Sequence, residues 1–260
     1  MRRTFARAAG TFALVLFVAV SALAQRGGYG YFSQAGNPRY DGRFMFARLK
    51  YSVGPGGYYY RGLPSWAHGE PFAEENLMKI MDAISLLRPH IQEGVVMSLD
   101  DPDLFKYPVA YMTEAGFWTL GDQEAASLRA YLQKGGFMIF DDFRGPGRIP
   151  WGGGWDNFAS NMQRVLPGVQ FVPLNASHPI FHSFFEINSL DSIPEAYDQG
   201  PEIRGIYEDN DPRKRLIAVV NFNMDIADFW EFSGQGYYPV DASNENYKLG
   251  VNYFMYGLTH

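Results

Sequence analysis

The stretch that decides the fold is GGFMIFDDFRG, residues 135–145. Two glycines come before four apolar residues, and Asp141, Asp142 and Arg144 follow almost at once. An unbroken apolar run indicates a strand that is buried on both faces, because a half-exposed strand alternates apolar and polar residues. The stretch therefore predicts a buried strand that ends in a charged cluster. This cluster is either a reactive or ligand-binding site, or a structural corner in which Arg144 neutralises the acids.

The segments around this strand alternate between apolar runs and amphipathic patterns. Residues 94–99 and 107–114 are short apolar runs typical of buried strands, whereas residues 72–90 and 121–136 carry apolar residues at helical spacing. This alternation predicts a mainly parallel sheet that is covered by helices on both faces, an α/β three-layer sandwich. Ligands bind such sheets beyond the carboxyl ends of the strands.

Acidic residues follow several of the predicted strands. Glu114 and Asp209 each end an apolar run, so we expect both of them at the functional edge with Asp141 and Asp142. Carboxylates in such a position ligate Ca²⁺ or Mg²⁺, act as general bases or hold sugar hydroxyls. Asp141 and Asp142 are therefore the catalytic candidates, and Glu114 and Asp209 are candidate ligand contacts. The alternative for Asp209 is a solvated turn, because residues 208–215 lack the spacing of a calcium-binding loop.

A second cluster lies between a loop rich in glycine and tyrosine and the helix predicted at 72–90. It contains Trp66, His68 and Glu75. Because long loops inside compact domains are usually functional, we interpret this cluster as a ligand lid. His68 is its candidate acid or base, and Trp66 and Glu75 are its candidate ligand contacts. The alternative is aromatic packing by Trp66, with Glu75 stabilising the helix dipole.

The residue types present exclude several chemistries. There is no cysteine, which excludes disulfides, a thiol nucleophile and thiolate metal ligands. His178 and His182 are four residues apart, but Pro179 breaks the helix that would align them on one ion. No stretch has the GxGxxG or Lys-Ser/Thr pattern of a phosphate-binding loop. The sequence therefore predicts no metal site and no cofactor.

Charge and aromatic content limit the partners. The chain has 260 residues and a formal net charge of −6, whereas a nucleic-acid partner would require a basic face. Aromatic residues make up 17% of the chain, and its five tryptophans lie largely in or beside predicted loops. Such residues suit stacking on sugar rings, and the alternative is an unusually aromatic core. The expected partner is a small molecule, a glycan or an envelope protein.

The N-terminal segment has the pattern of an export signal. Residues 1–24 combine a basic start, an apolar run and an Ala-Leu-Ala end, which predicts a signal peptide cleaved after Ala24. Residues 25–43 then form a polar linker, and residues 44–260 form the domain. We expect a periplasmic or extracellular protein with no membrane span after cleavage. General secretion is favoured by the apolar run, and twin-arginine export, indicated by Arg2 and Arg3, is the alternative.

Several separated motifs share their order with one family. They are FARLKYSVG, WAHGEPFAEENLMKIM, YPVAYMTEAGFWTL, WDNFASNMQRVLPG and NYKLGVNYFMYGLTH. Over roughly residues 43–260 the chain resembles an uncharacterised bacterial family, the domain of unknown function DUF4159. That family is grouped with the class I glutamine amidotransferase-like proteins, so the resemblance implies a flavodoxin-like three-layer sandwich.

The same resemblance implies the position of a pocket. In amidotransferases a helix, a glycine pair and an apolar strand lead to an elbow that presents a nucleophilic cysteine. Here the matching strand is GGFMIF, and the elbow falls on Asp141, Asp142 or Phe143. Without cysteine, amidotransfer by the thiol route is excluded. The fold and the place of the pocket carry over from the family, and the reaction does not.

Two classes of function follow. The first is a non-thiol module of the cell envelope that binds a ligand or protein. The second is a carboxylate-dependent hydrolase that acts on a carbohydrate or related envelope substrate, with Asp141 or Asp142 and His68 as acid and base and with Arg144 among its ligand contacts. Hydrogen bonds between these side chains around an open cleft would favour the hydrolase. Complete ion pairs with Arg48 or Arg144 would count against it.

Overall fold

The structure is a computed structural model that describes residues 36–54, 56–60, 62–144, 154–194, 197 and 200–260. The predicted signal peptide and residues 25–35 of the predicted linker lie outside these residues. Asn37 of the predicted linker contacts the domain. The Asn37 side chain donates to the Val96 carbonyl oxygen at 3.0 Å and accepts from the Val96 amide at 2.8 Å.

The described residues form short strands and five α-helices. The strands are β1 (Phe46–Lys50), β2 (Ser52–Val53), β3 (Tyr59–Tyr60), β4 (Leu63–Pro64), β5 (Gly94–Ser98), β6 (Val109–Thr113), β7 (Trp118–Thr119), β8 (Phe137–Phe143), β9 (Val172–Pro173), β10 (Glu202–Tyr207) and β11 (Leu216–Phe222). The helices are α1 (Phe72–Ile84), α2 (Asp122–Gln133), α3 (Trp155–Val165), α4 (Ile226–Glu231) and α5 (Val240–Thr259).

Seven of these strands form the central sheet. Their order is β5-β1-β6-β8-β11-β10-β9. The first five are parallel to one another, and β10 and β9 add an antiparallel edge. The prediction of a mixed α/β fold with a mainly parallel sheet is confirmed.

The apolar run of β8 is buried on both faces of the sheet. Met138 and Phe140 pack in a core with residues of α2 and α3, and Phe137 and Ile139 pack in a second core with residues of α1, α4 and α5. This is why the run has no polar alternation. Gly136 lies against the Tyr131 ring, where an added Cβ would be 2.4 Å from the ring atoms. The second glycine of the opening stretch is therefore required by packing.

Two predicted features differ from the structure. The helix predicted at 72–90 ends at Ile84, because Ser85 is extended and its hydroxyl donates to the Met81 carbonyl oxygen at 2.6 Å.

Asp209 does not lie at the functional edge. Strand β10 runs antiparallel to β11, so its carboxyl end lies beside the amino end of β11. Asp209 instead pairs with Lys214 at 2.6 Å on the surface.

None of the helices within the described ranges combines the length and the apolar character that a bilayer crossing requires.

Candidate functional site

Three parallel strands end in an unusual backbone conformation at the same edge of the sheet. Glu114 after β6, Asp142 in β8 and Asn223 after β11 have φ angles of 52°, 55° and 57°. Left-handed backbone is rare in residues other than glycine, costs about 1–3 kcal/mol and is frequent at functional sites. The register between β8 and β11 also shifts beside Asp142. This bulge separates the directions of the two aspartates, as bulges near active sites often do.

Asp142 is the central acceptor of this edge. Its Oδ2 lies 2.9 Å from His68 Nδ1, and its Oδ1 accepts a hydrogen bond from the Tyr197 hydroxyl. The residue is only 1% exposed. Burial by itself would raise the pKa of Asp142, but the hydrogen bond and charge of His68 and the bond from Tyr197 lower it below its usual value. Asp142 is therefore a carboxylate at neutral pH.

Arg48 of β1 fixes the loop that carries His68. Its buried guanidinium forms an ion pair with Glu74 of α1. Its Nη1 also donates to the carbonyl oxygens of Trp66 and His68, both at 2.9 Å. Gly69 follows with a φ of 78°, which turns the chain into α1. The position of the imidazole is therefore set by a strand, a helix and a glycine turn.

The acids around His68 favour its charged form. Burial would lower the pKa of His68, but the hydrogen bond and charge of Asp142 and the charges of Glu114 and Glu231 raise it to about 9. His68 is thus an imidazolium at neutral pH. Since its folded pKa lies above the usual value of 6.5, its contribution to stability is complete below pH 6.5 and is lost as the pH rises through about 9.

An NMR titration of the imidazole resonances tests this pairing. We expect the His68 resonance to titrate near pH 9 in the native protein and at a lower pH in Asp142→Asn, which lacks the hydrogen bond and charge of the carboxylate. The resonance is assigned by its loss in His68→Gln. A native His68 that titrates near 6.5, or one whose titration is unchanged in Asp142→Asn, would contradict the ion pair.

Glu114 lies beside this pair, and its pKa is displaced in the direction opposite to that of Asp142. Its Oε1 lies 3.8 Å from His68 Nδ1 and accepts a hydrogen bond from the Tyr58 hydroxyl. The Tyr51 hydroxyl holds its backbone by donating to the Glu114 carbonyl oxygen at 2.6 Å. Burial and the charge of Asp142 raise the pKa of Glu114 well above its usual value. The pKa values of the two carboxyl groups at this edge are therefore displaced in opposite directions.

A cavity of about 580 Å³ opens beside these groups. It is lined by Gly56, Gly57, Tyr58, Glu114, Phe117, Phe143, Arg144 and Tyr197. The Arg144 guanidinium carbon lies 4.5 Å from the centre of the Tyr197 ring. Glu114 thus faces the cavity directly, and Asp142 is separated from it by the Tyr197 hydroxyl.

A family model matches residues 45–258 of the chain, which include the whole site. The chain belongs to the DUF4159 family. The description of that family is a domain of unknown function. The predicted family membership is confirmed. None of the curated proteins compared with the chain shows significant similarity to it.

The other side of His68 faces two acids of α4 in the DUF4159 domain. His68 Nε2 lies 4.0 Å from Asp228 Oδ1 and 4.0 Å from Glu231 Oε2. The second oxygen of Asp228 accepts a hydrogen bond from the Tyr238 hydroxyl. Neither acid is among the residues expected from the sequence. A signal was present, because Asp225, Asp228 and Glu231 follow one another at intervals of three, which places them on one face of a helix.

The structure brings together His68, Glu114 and Asp142 from the predicted set, and it places Arg144 at the cavity. Asp141 lies apart from them in the core. It accepts hydrogen bonds from Tyr111 at 2.8 Å and Asn221 at 2.9 Å, and from the first amides of α4. Its role in the DUF4159 domain is to join β6, β8, β11 and α4.

Trp66, Glu75 and Asp209 lie outside the group formed by His68, Glu114 and Asp142. The partly buried Trp66 ring packs against the core formed with α2 and α3, and its backbone binds Arg48. Glu75 pairs with Lys79 at 3.6 Å on the surface of α1. Asp209 lies at the opposite edge of the sheet, as described above. Tyr58 and Tyr197 join the site instead, and no local pattern distinguished them among 17 tyrosines.

Proposed function

We propose that this DUF4159 chain is an exported, carboxylate-dependent hydrolase that acts on a hydroxyl-rich, carbohydrate-type substrate of the cell envelope. One observation carries the proposal. Glu114 and Asp142 lie beside one cavity with their pKa values displaced in opposite directions. Such a pair supplies a general acid and a general base at the same pH.

The proposed reaction adds water across a C–O bond of a substrate bound in the cavity. Glu114 donates its proton to the leaving oxygen as that bond breaks. The Tyr197 hydroxyl occupies the place from which a water could reach Asp142 Oδ1. When Tyr197 withdraws, Asp142 takes a proton from that water as its oxygen bonds to the substrate carbon. Release of this proton to solvent and reprotonation of Glu114 complete the cycle.

The lining of the cavity suits such a substrate. Tyr58 and Phe117 offer aromatic surfaces for the faces of sugar rings. Arg144 supplies fixed donors for hydroxyl or carboxyl oxygens. His68 acts on Asp142, since its charge keeps this carboxylate ionised in a buried place.

The order of the strands supports the amidotransferase-like placement of the fold. Counted along the chain, the five parallel strands lie in the order second, first, third, fourth, fifth. This is the flavodoxin-like order, in which ligands bind near the carboxyl ends of the strands. We infer that Asp142 stands at the elbow where amidotransferases carry cysteine, since it has left-handed backbone in the fourth of these strands.

A second candidate is a binding module of the envelope without turnover. It is favoured by the hydrogen bonds that both Asp142 oxygens already make and by the 1% exposure of this residue. Because both oxygens of Asp142 are already hydrogen-bonded, this carboxylate would hold the site in shape while the cavity recognises a glycan or an envelope protein. Export, which both candidates require, rests on the predicted signal peptide at 1–24.

The two candidates separate in one experiment on the Glu114→Gln variant. The purified protein is incubated with peptidoglycan fragments and with soluble oligosaccharides, and both the ligand-induced thermal shift and the release of new reducing ends are measured. We expect Glu114→Gln to release ends about 10²–10⁴-fold more slowly while its ligand-induced shift persists, because only the proton donor is lost.

The matched control is Glu75→Gln on the surface of α1, which leaves both readings unchanged. A ligand-induced shift without any release of ends in the native protein would establish the binding module instead. If Glu114→Gln and Asp142→Asn both leave the ligand-induced thermal shift unchanged, the ligand does not bind at the assigned site.

A further inference from the structure

We propose that His68, Asp228 and Glu231 form a binding site for a divalent transition ion of the Zn²⁺ type. The three side chains offer one nitrogen and two carboxylate oxygens that lie within 4.8 Å of one another. Binding would displace the Nε2 proton of the His68 imidazolium, and the ion would then supply the positive charge beside Asp142 in place of that proton.

The imidazole is oriented as it is in protein metal sites. Its Nδ1 is bound to the Asp142 carboxylate at 2.9 Å, and its Nε2 points between Asp228 and Glu231. Metal-binding histidines almost always donate their second N–H to a carboxylate, which fixes the tautomer and aims the free nitrogen at the ion. Asp142 is in the place of that orienting carboxylate.

The distances leave a gap of the size of an ion. Nε2 is 4.0 Å from each acid, too far for a hydrogen bond to either of them. Ligand atoms around tetrahedral Zn²⁺, at bonds of about 2.0–2.2 Å, lie roughly 3.3–3.5 Å apart. Small rotations of Asp228 and Glu231, which are three residues apart on α4, would close the difference.

Each of the two acids also has a carboxylate oxygen available to bind an ion. Glu231 Oε2 is buried and has no hydrogen-bond partner among the residues that the structure describes. Asp228 is held by Tyr238 through Oδ2, which leaves Oδ1 toward the gap. Within the described ranges, His68 is the only cationic side chain that lies within 4.0 Å of either acid.

The chemistry of the donors selects the ion. Ca²⁺ takes six to eight oxygen ligands, and Mg²⁺ demands near-ideal octahedral oxygen geometry, so neither matches a set that includes imidazole nitrogen. One imidazole and two carboxylates with a further open position resemble the three-ligand sets of zinc sites that keep a water. The His68 side chain is 34% exposed, which leaves room for that fourth ligand.

Gly69 contributes space to the site. A Cβ at this position would lie 3.5 Å from Glu231 Oε2 and 3.2 Å from the Ala73 Cβ, and the φ of 78° disfavours any side chain. The glycine therefore lets the loop that carries His68 approach the end of α4 closely.

The test is direct metal binding by the full chain after treatment with a chelator. Equilibrium dialysis against Zn²⁺, read by elemental analysis, is expected to give one ion per chain, and Co²⁺ is expected to give a visible absorption spectrum typical of mixed nitrogen and oxygen ligands. Asp228→Asn combined with Glu231→Gln should abolish both signals. Tyr238→Phe removes only the hydroxyl that orients Asp228, and it should weaken binding about 10–100-fold.

Two controls locate the site. His182→Gln removes another histidine paired with a glutamate, and it should leave the stoichiometry unchanged. Glu114→Gln alters the alternative donor set of His68, Glu114 and Asp142, and it should keep the ion while slowing hydrolysis. Metal loss in Glu114→Gln, native-like binding in the Asp228/Glu231 double variant, or no binding by the native chain would each overturn the proposal. Far-UV circular dichroism confirms that every variant is folded.

Discussion

Asp142→Asn is expected to slow the release of reducing ends about 10²–10⁴-fold, because the variant loses the proposed base that accepts a proton from water. Asparagine matches the shape of aspartate, tolerates left-handed backbone and can still accept the hydrogen bond from Tyr197. The fold should therefore persist. The loss of charge also removes the partner of the His68 imidazolium. Turnover and the melting temperature are measured on the same preparation.

Asp141→Asn is the matched control, one residue away in the same strand. This side chain accepts from Tyr111, Asn221 and the amides of Ile226 and Ala227, and an amide group cannot accept from all of them. We expect a loss of about 1–3 kcal/mol in the free energy of unfolding, with turnover retained below the melting temperature. The reverse outcome, in which Asp141→Asn is stable but inactive and Asp142→Asn is active, would show that the chemistry belongs to Asp141 and not to Asp142.

Arg48→Met is expected to lower the free energy of unfolding by about 3–5 kcal/mol, because it leaves the buried Glu74 carboxylate without its partner. Both side chains are only 1% exposed. Chemical denaturation measures the change. The double variant Arg48→Met/Glu74→Leu should recover most of the stability, since an apolar pair of similar volume often replaces a buried ion pair at little cost.

The same double variant separates stability from the position of His68. It still lacks the two hydrogen bonds from Arg48 to the carbonyl oxygens of Trp66 and His68, so we expect it to remain impaired in turnover. Arg213→Met is the control, because Arg213 also pairs with an aspartate but is exposed, and it should leave stability unchanged. Full recovery of both stability and turnover in the double variant would show that Arg48 does not position the loop.

The central strand and its charged end could be predicted from sequence because both depend on local pattern. Burial on two faces requires the unbroken run FMIF, and the two acids come directly after it. The choice between the acids could not be made in this way. Asp141 and Asp142 differ through a bulge relative to β11, a strand more than 70 residues later, and this register is a tertiary property.

The position of Asp209 could have been predicted from the local sequence. Only residues 208–215 join β10 to β11, and so short a connection joins antiparallel strands, because a parallel crossover needs a dozen or more residues. The acids of α4 and Tyr197 are a different case. The acids reach His68, and Tyr197 reaches Asp142, from segments far along the chain. The proximity of the acids to His68 depends on the packing of α1 against α4 rather than on any motif.

The left-handed backbone at Glu114 and Asp142 also bears on engineering. Glycine is the residue best suited to such φ values, so replacements by glycine there are natural candidates in a search for heat tolerance. At these two positions, however, glycine would delete the Glu114 carboxyl group that lines the cavity and the Asp142 carboxylate that pairs with His68. Under the proposed function such replacements would abolish turnover, so any library should keep these two codons fixed.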